Sequence, residues 1–199
     1  MDEHEKIRDI FKTQGGKVRT ADITNAGLHN RWLAKLMQEG KVIRLKQGHY
    51  QWVGDEEPEE LELLYQLLPD TILCMESALY YYGYTDRTPD RWHIAVDRDS
   101  NKKRFRIDYP LIKPHYLDSK YLNIGVTEGN INGIDVRIYD RDRTICDVIR
   151  YANKLDREIL NKAIQAYLAD AGKNIIRLIE YAKQLRVYKK VQLWIGVWL

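Results

Sequence analysis

Arg31, Lys35 and Gln38, with Ala34 between them, recur at a spacing that places all four on one face of a helix. Leu33, Leu36 and Met37 occupy the opposite face. Guanidinium, ammonium and carboxamide groups reach guanine, adenine and phosphate in a DNA major groove, so the polar face suits nucleic-acid recognition. Acids are nearly absent from it, and Asn30 adds a further amide at its start. Arg44, Lys46 and Gln47 then lead into a glycine turn, placed to touch a phosphate backbone. Thr20 stands before a short helix as a hydroxyl N-cap, where free backbone N–H groups suit a phosphate. Trp32 falls between the two faces and is assigned to packing.

A second constellation is Arg143 with Asp147, an i, i+4 pair on one helix face. Arg before Asp is the less favourable order, and a cation near a helix N-terminus opposes the dipole. Local electrostatics therefore does not ask for this pair; it calls for a tertiary partner or an anionic ligand, and leaves anchoring and function both open. A third is Pro89-Asp90 followed by Asp118-Ser119-Lys120, which formally matches the PD-(D/E)xK nuclease pattern of two metal-holding carboxylates beside a lysine. So short a pattern arises readily in a chain with 31% charged residues. The chain has no P-loop, GxGxxG, GxSxG or Gly-Ser element. Cys74 and Cys146 stand alone, so no metal set, cofactor or catalytic residue is assigned. His93, on an alternating apolar strand, is expected to be a satisfied core histidine.

Elements must hold these residues in place. Ile7, Ile10 and Phe11 imply a helix over 3–14, and Gly15-Gly16 ends it. A short helix over 21–26, a helix over 29–39 stopped by Gly40, and strands over 42–45 and 49–53 complete the order of a winged helix-turn-helix. The acidic run 55–62, which includes Pro58, reads as a solvated linker running into a helix start. The expected organisation is a winged helix-turn-helix DNA-binding domain over 1–54, the linker over 55–62, and a larger domain over 63–199. In the latter, a helix over 61–68 ends at Pro69, and strands are expected at 71–75, 92–96, 105–109, 121–127 and 135–139. Helices are expected at 77–82, 143–152, 157–169 and 175–185 and from 188 to the end. This is an α+β chain with a mostly antiparallel sheet and C-terminal helices.

Composition sets the outer limits. With 44% apolar and 11% aromatic residues over 199 positions, the chain can bury a core without disulfides. The net charge of +3 is uneven: 1–54 carries ten Lys/Arg against six Asp/Glu, as a nucleic-acid module would. A charged N-terminus and the absence of a long apolar run argue against a secretory leader or membrane helix, so a cytoplasmic location is expected.

Several short blocks resemble one family. They are Gly15-Gly16 with Thr20-Ala21, Leu33 and Leu36, and Ile43 through Tyr50 ending in Gly-x-Tyr; then Met75-Glu76-Ser77-Ala78-Leu79 with Gly83, Pro89 and His93 through Val96; and last Arg143-Thr144-Ile145-Cys146-Asp147, an Arg-Thr-x-x-Asp signature. In that order and spacing they resemble the AbiEi-type antitoxins of type IV toxin–antitoxin, or abortive infection, systems. The resemblance implies a cytoplasmic bacterial phage-defence protein whose winged helix represses its own operon by binding operator DNA as a monomer or weak dimer. It also implies a larger domain, with Ser77, Arg143, Thr144 and Asp147 in its motifs, that counters a nucleotidyltransferase toxin without a stable complex. It implies no membrane partner and carries over no catalytic residue. The alternative reading is a metal-dependent DNA nuclease with a winged-helix targeting domain.

Because exposed linkers are where proteases cut first, limited proteolysis is expected to nick within 55–62. Protection there, with cleavage inside 100–140, would overturn this boundary.

Overall fold

The computed structural model describes residues 3–53 and 59–196, in two compact units. The first unit spans residues 1–67 together with 101–111. Its elements are α1 (Glu3–Thr13), β1 (Lys17–Arg19), α2 (Thr20–Asn25), α3 (Arg31–Gln38), β2 (Val42–Lys46), β3 (His49–Trp52) and α4 (Glu60–Leu67). The strands form an antiparallel sheet in the order β1-β3-β2. Ile7 and Phe11 on α1, Ile23 on α2 and Leu33 and Leu36 on α3 meet Val18 and Val42 in one core. The 3.6-residue period of the three helices thus faces the period-two apolar side of the sheet. Gly48 turns β2 into β3 at a φ of 75°, in the left-handed region that glycine enters without cost. Strand β1 was not expected; three residues are too few for a periodic signal.

The second unit spans residues 68–100 and 112–199. It contains β4 (Ile72–Leu73), α5 (Met75–Tyr81), β5 (Trp92–Asp97), β6 (Ile112–Leu117), α6 (Ser119–Leu122), β7 (Val126–Ile131) and β8 (Ile134–Tyr139). The helices α7 (Arg141–Arg150), α8 (Arg157–Ala169), α9 (Ile175–Gln184) and α10 (Tyr188–Ile195) follow. The sheet order is β6-β5-β4-β8-β7. Pairs β4/β5 and β7/β8 are antiparallel, while β5/β6 and β4/β8 are parallel, so the sheet is mixed where a mostly antiparallel one was expected. Asn132 and Gly133, with φ of 52° and 86°, form the tight turn expected between β7 and β8. Helix α7 is the hub of the helical layer: it packs on α5, α8, α9 and α10, and every residue from Asp142 to Ile149 is buried. Among the described residues no helix is long and apolar enough to cross a membrane.

Four expectations need correcting. The alternation at 105–109 is not a strand: a 3₁₀ turn (Lys102–Phe105) and irregular chain occupy it, and the strand forms at β6. Pro114 lies inside β6, and because β6 is an edge strand the missing N–H is tolerated there. The expected strand over 121–127 divides into α6, capped by the Asp118 carboxylate, and β7. The expected N-cap Thr20 is instead the first residue of α2; Arg19 caps it and donates its backbone N–H to Asp22 Oδ2 at 2.7 Å. Finally, the division falls at Leu67 and not near residue 55: α4, with Leu61, Leu63 and Leu64 buried, belongs to the first unit, as do residues 101–111. Residues 54–58, which hold much of the acidic run, lie outside the described residues.

A buried polar anchor ties the second unit together. Arg143 is fully buried, and its Nε donates to Asp147 Oδ2 at 2.9 Å. Its Nη1 donates to the carbonyls of Tyr121 at 2.8 Å and Ile124 at 2.6 Å. Its guanidinium carbon lies 4.1 Å from the centre of the Tyr139 ring, a cation–π contact. The Asp140 side chain caps α7 by accepting from the Arg143 N–H at 2.8 Å. Burial works against both charges; the Asp147 carboxylate nevertheless holds the Arg143 guanidinium above its ordinary range. The surface ion pair that i, i+4 spacing commonly makes is replaced here by a core pair whose tertiary partners come from the α6–β7 turn. Gly125 in that turn has a φ of 74°, and a Cβ there would stand 2.6 Å from Arg143 Cβ.

Removing one partner of a buried pair strands the other charge, at a cost of roughly 3–5 kcal/mol. Arg143→Ala is therefore expected to lose about that much in chemical denaturation. The double variant Arg143→Met/Asp147→Leu should recover much of the loss, since apolar replacement of a buried pair is often neutral. Equal losses in both variants would show that the pair is not what holds α7.

Candidate nucleic-acid interface

Helix α3 buries Leu33 and Leu36 and turns Arg31, Ala34, Lys35 and Gln38 outward, all exposed, as the wheel required. Asn30, also exposed, precedes the helix and makes no side-chain cap. Lys35 Nζ sits 4.9 Å above the Trp32 ring, and Trp32 donates its indole N–H to Glu3 at 2.6 Å, fixing the tryptophan as packing. The face is less free of acids than its spacing suggests. Glu39 lies 4.0 Å from Lys35 and 3.1 Å from Lys41, and Lys41 first, then burial, His4 and Lys35, act on its carboxyl with a net lowering.

The β2–β3 hairpin carries the remaining candidates. Gln47 is exposed in the turn and Lys46 is half-buried. Arg44 is exposed, but its Nε is 3.0 Å from Asp108 Oδ2, a carboxylate of the 101–111 segment in the same unit. The Leu45 carbonyl accepts from the Asp108 N–H at 2.8 Å, so this carboxylate is positioned by backbone. Thr20 is half-buried, with its N–H donated to the Gly48 carbonyl at 3.0 Å. With its N–H committed and the Asp22 carboxylate at the start of α2, that helix offers no phosphate site. The unit therefore gathers Arg31, Lys35 and Gln38 on one exposed face and Gln47 on the hairpin, holds Arg44 in an ion pair, and withdraws Thr20.

The four residues of the second-unit motifs are all buried. Ser77 Oγ accepts the His93 N–H at 2.8 Å, tying α5 to β5, and Thr144 Oγ1 donates to the Tyr139 carbonyl at 3.2 Å. With Arg143 and Asp147 they join strands to helices. The nuclease-like residues are otherwise engaged: Asp90 with Arg91 at 2.9 Å, and Asp118 with Arg98 and Lys120, each at 3.3 Å. Among the described residues no group of three His, Cys, Asp or Glu side chains could hold a metal ion.

The meeting of two histidines in the second unit escaped a reading by spacing. His93 is buried as expected, but its ring meets that of His115, with His115 Nε2 3.3 Å from His93 Nδ1. The parallel register sets Ala95 against His115, two residues from His93 and on the same face of the sheet. Only knowledge of β6 could have revealed this neighbour.

No family model matches the chain, and no curated protein matches it. Among solved structures, the crystal structure of the RV2827C protein from Mycobacterium tuberculosis is similar at 12% identity, with a TM-score of 0.48, covering 96% of this chain and 79% of that one.

Proposed function

We propose that the first unit is a winged helix-turn-helix that binds operator DNA through α3, and that the chain acts as an antitoxin repressing its own operon. The observation that carries the DNA reading is the α3 face. Three side chains able to reach bases or phosphates stand exposed on a helix held from behind by Leu33 and Leu36. The helix runs directly into a basic hairpin, the order of elements in which a wing follows a recognition helix. Counter-charges near this face are weak competitors, because exposed ion pairs contribute only about 0–1 kcal/mol. A phosphate can therefore displace Asp108 from Arg44, or Glu39 from Lys35. Antagonism of a nucleotidyltransferase toxin rests on the family resemblance alone. The buried state of Ser77, Arg143, Thr144 and Asp147 gives those motif residues the work of holding the second unit in shape, leaving toxin antagonism to its surface.

Binding to the chain's own promoter is expected to weaken steeply with salt, as phosphate neutralisation releases counterions. In mobility shifts, Arg31→Ala should cost roughly 1–3 kcal/mol if it reads a base, and Lys35→Ala should weaken binding across sequences. Asp108→Ala should tighten binding by up to about fivefold by releasing Arg44, the range an exposed ion pair allows. Unchanged shifts for both Arg31→Ala and Lys35→Ala would defeat the groove assignment.

A further inference from the structure

The second unit holds a cleft of about 370 Å³ that the DNA reading does not use. Met75, Glu76, His93, Lys113, His115 and Tyr151 are among the side chains that form it, and Lys154 completes its rim. Its size lies within the range of small-molecule sites. Met75 enters α5 at a φ of 49°, a left-handed setting uncommon outside glycine and of the kind that collects at binding sites.

The inner wall is an ordered pair of imidazoles. Burial, reinforced by nearby cations, lowers the pKa of His93 to about 3 and that of His115 to about 4, so both rings are neutral near pH 7. Each neutral ring has one N–H and one bare nitrogen. Glu76 Oε1 lies 3.7 Å from His93 Nε2, and a carboxylate beside a ring nitrogen favours a proton there. With its proton on Nε2, His93 presents Nδ1 as an acceptor, and His115 Nε2–H donates to it across 3.3 Å. The remaining nitrogen, His115 Nδ1, is then a bare acceptor on a residue that lines the cleft. Tyr151 continues the wall, its ring centre 6.2 Å from that of His115.

The rim has the opposite character. Lys113 and Lys154 are exposed, and among the described residues neither forms an ion pair; Lys154 leans toward the Tyr151 ring at 5.8 Å. A ligand matching the whole cleft carries an anionic group at one end, for the two ammonium groups, and an N–H or O–H at the other, for the imidazole. The Glu76 carboxylate repels an anion from the inner end and so sets the direction of entry. Inorganic phosphate satisfies only the rim.

We propose that this cleft binds a nucleoside phosphate, with its phosphate between Lys113 and Lys154 and a nucleoside N–H or O–H donated to His115 Nδ1. The site lies wholly within the second unit and does not depend on DNA binding by the first. Titration calorimetry on the full chain should show saturable one-to-one binding of at least one of AMP, GMP, CMP and UMP. The same nucleotide should shift the imidazole ¹⁵N resonances of His115. Charge-assisted hydrogen bonds make the lysines strong contributors, so Lys113→Ala/Lys154→Ala should weaken binding by at least about tenfold. Both substitutions are on exposed side chains, and an unchanged thermal transition will report that the fold is intact. His115→Phe should weaken the nucleotide but not inorganic phosphate. Three outcomes would overturn the proposal: no binding of any of the four up to about 5 mM, binding undiminished in the lysine variant, or inorganic phosphate binding as tightly as the nucleotide.

Discussion

A guanidinium placed in a protein core must find acceptors from its own chain, and this requirement at Arg143 organises the second unit. The side chain reaches Asp147 on its own helix, the carbonyls of Tyr121 and Ile124, and the face of Tyr139 at the end of β8. One residue thus links α7, the turn before β7 and the last strand of the sheet. The close approach is possible because position 125 is glycine, where any Cβ would collide with Arg143 itself. The surrounding elements inherit their positions from this link. The Asp140 N–H donates to the Gly125 carbonyl at 2.7 Å, so the chain is clamped on both sides of the turn that leads into α7. Around the fixed helix, α8, α9 and α10 supply Leu160, Leu178 and Val191 to the core.

The first unit spends its polar residues differently. Its core is apolar, and cations such as Lys35 and Arg44 lie at the surface in pairs that solvent weakens. A buried pair such as Arg143 with Asp147 resists exchange because either partner alone would be stranded in a medium of low dielectric. Surface pairs such as Arg44 with Asp108 exchange readily, and a polyanion with many phosphates can compete for each of them. The contrast in burial separates charge that builds the protein from charge that is free to meet a partner.

Much of this was legible in sequence. Apolar spacing in helices places Leu33 and Leu36 inward and Arg31, Lys35 and Gln38 outward, and the bounds of α8 match the periodic run at 157–169. Asn132-Gly133 marked its hairpin because the turn requires left-handed residues. What could not be read depended on distant chain. The arginine order before Asp147 signalled a tertiary partner or an anionic ligand, but that the partners are the carbonyls of Tyr121 and Ile124 lies outside any local pattern. Edge strand β6 was hidden by Pro114, and with it the meeting of His93 and His115. The pairing of Arg44 with Asp108 was equally invisible, since 64 positions separate them.

Buried polar groups become informative about function only after their own chain has been given the chance to satisfy them. Ser77, Thr144 and Arg143 stood out as motif residues, and the structure accounts for each through a partner in the fold. His115 stood out in nothing, yet it lines a cleft beside two lysines that, among the described residues, form no ion pair. A core pays for a polar side chain by pairing it, whereas a binding site leaves part of its pairing to the ligand. By that criterion the motif residues hold the second unit's shape. Arg143 Nη2 and Asp147 Oδ1 keep unpaired capacity inside the core, while the α3 face in one unit and the histidine-lined cleft in the other hold theirs where a ligand can reach it.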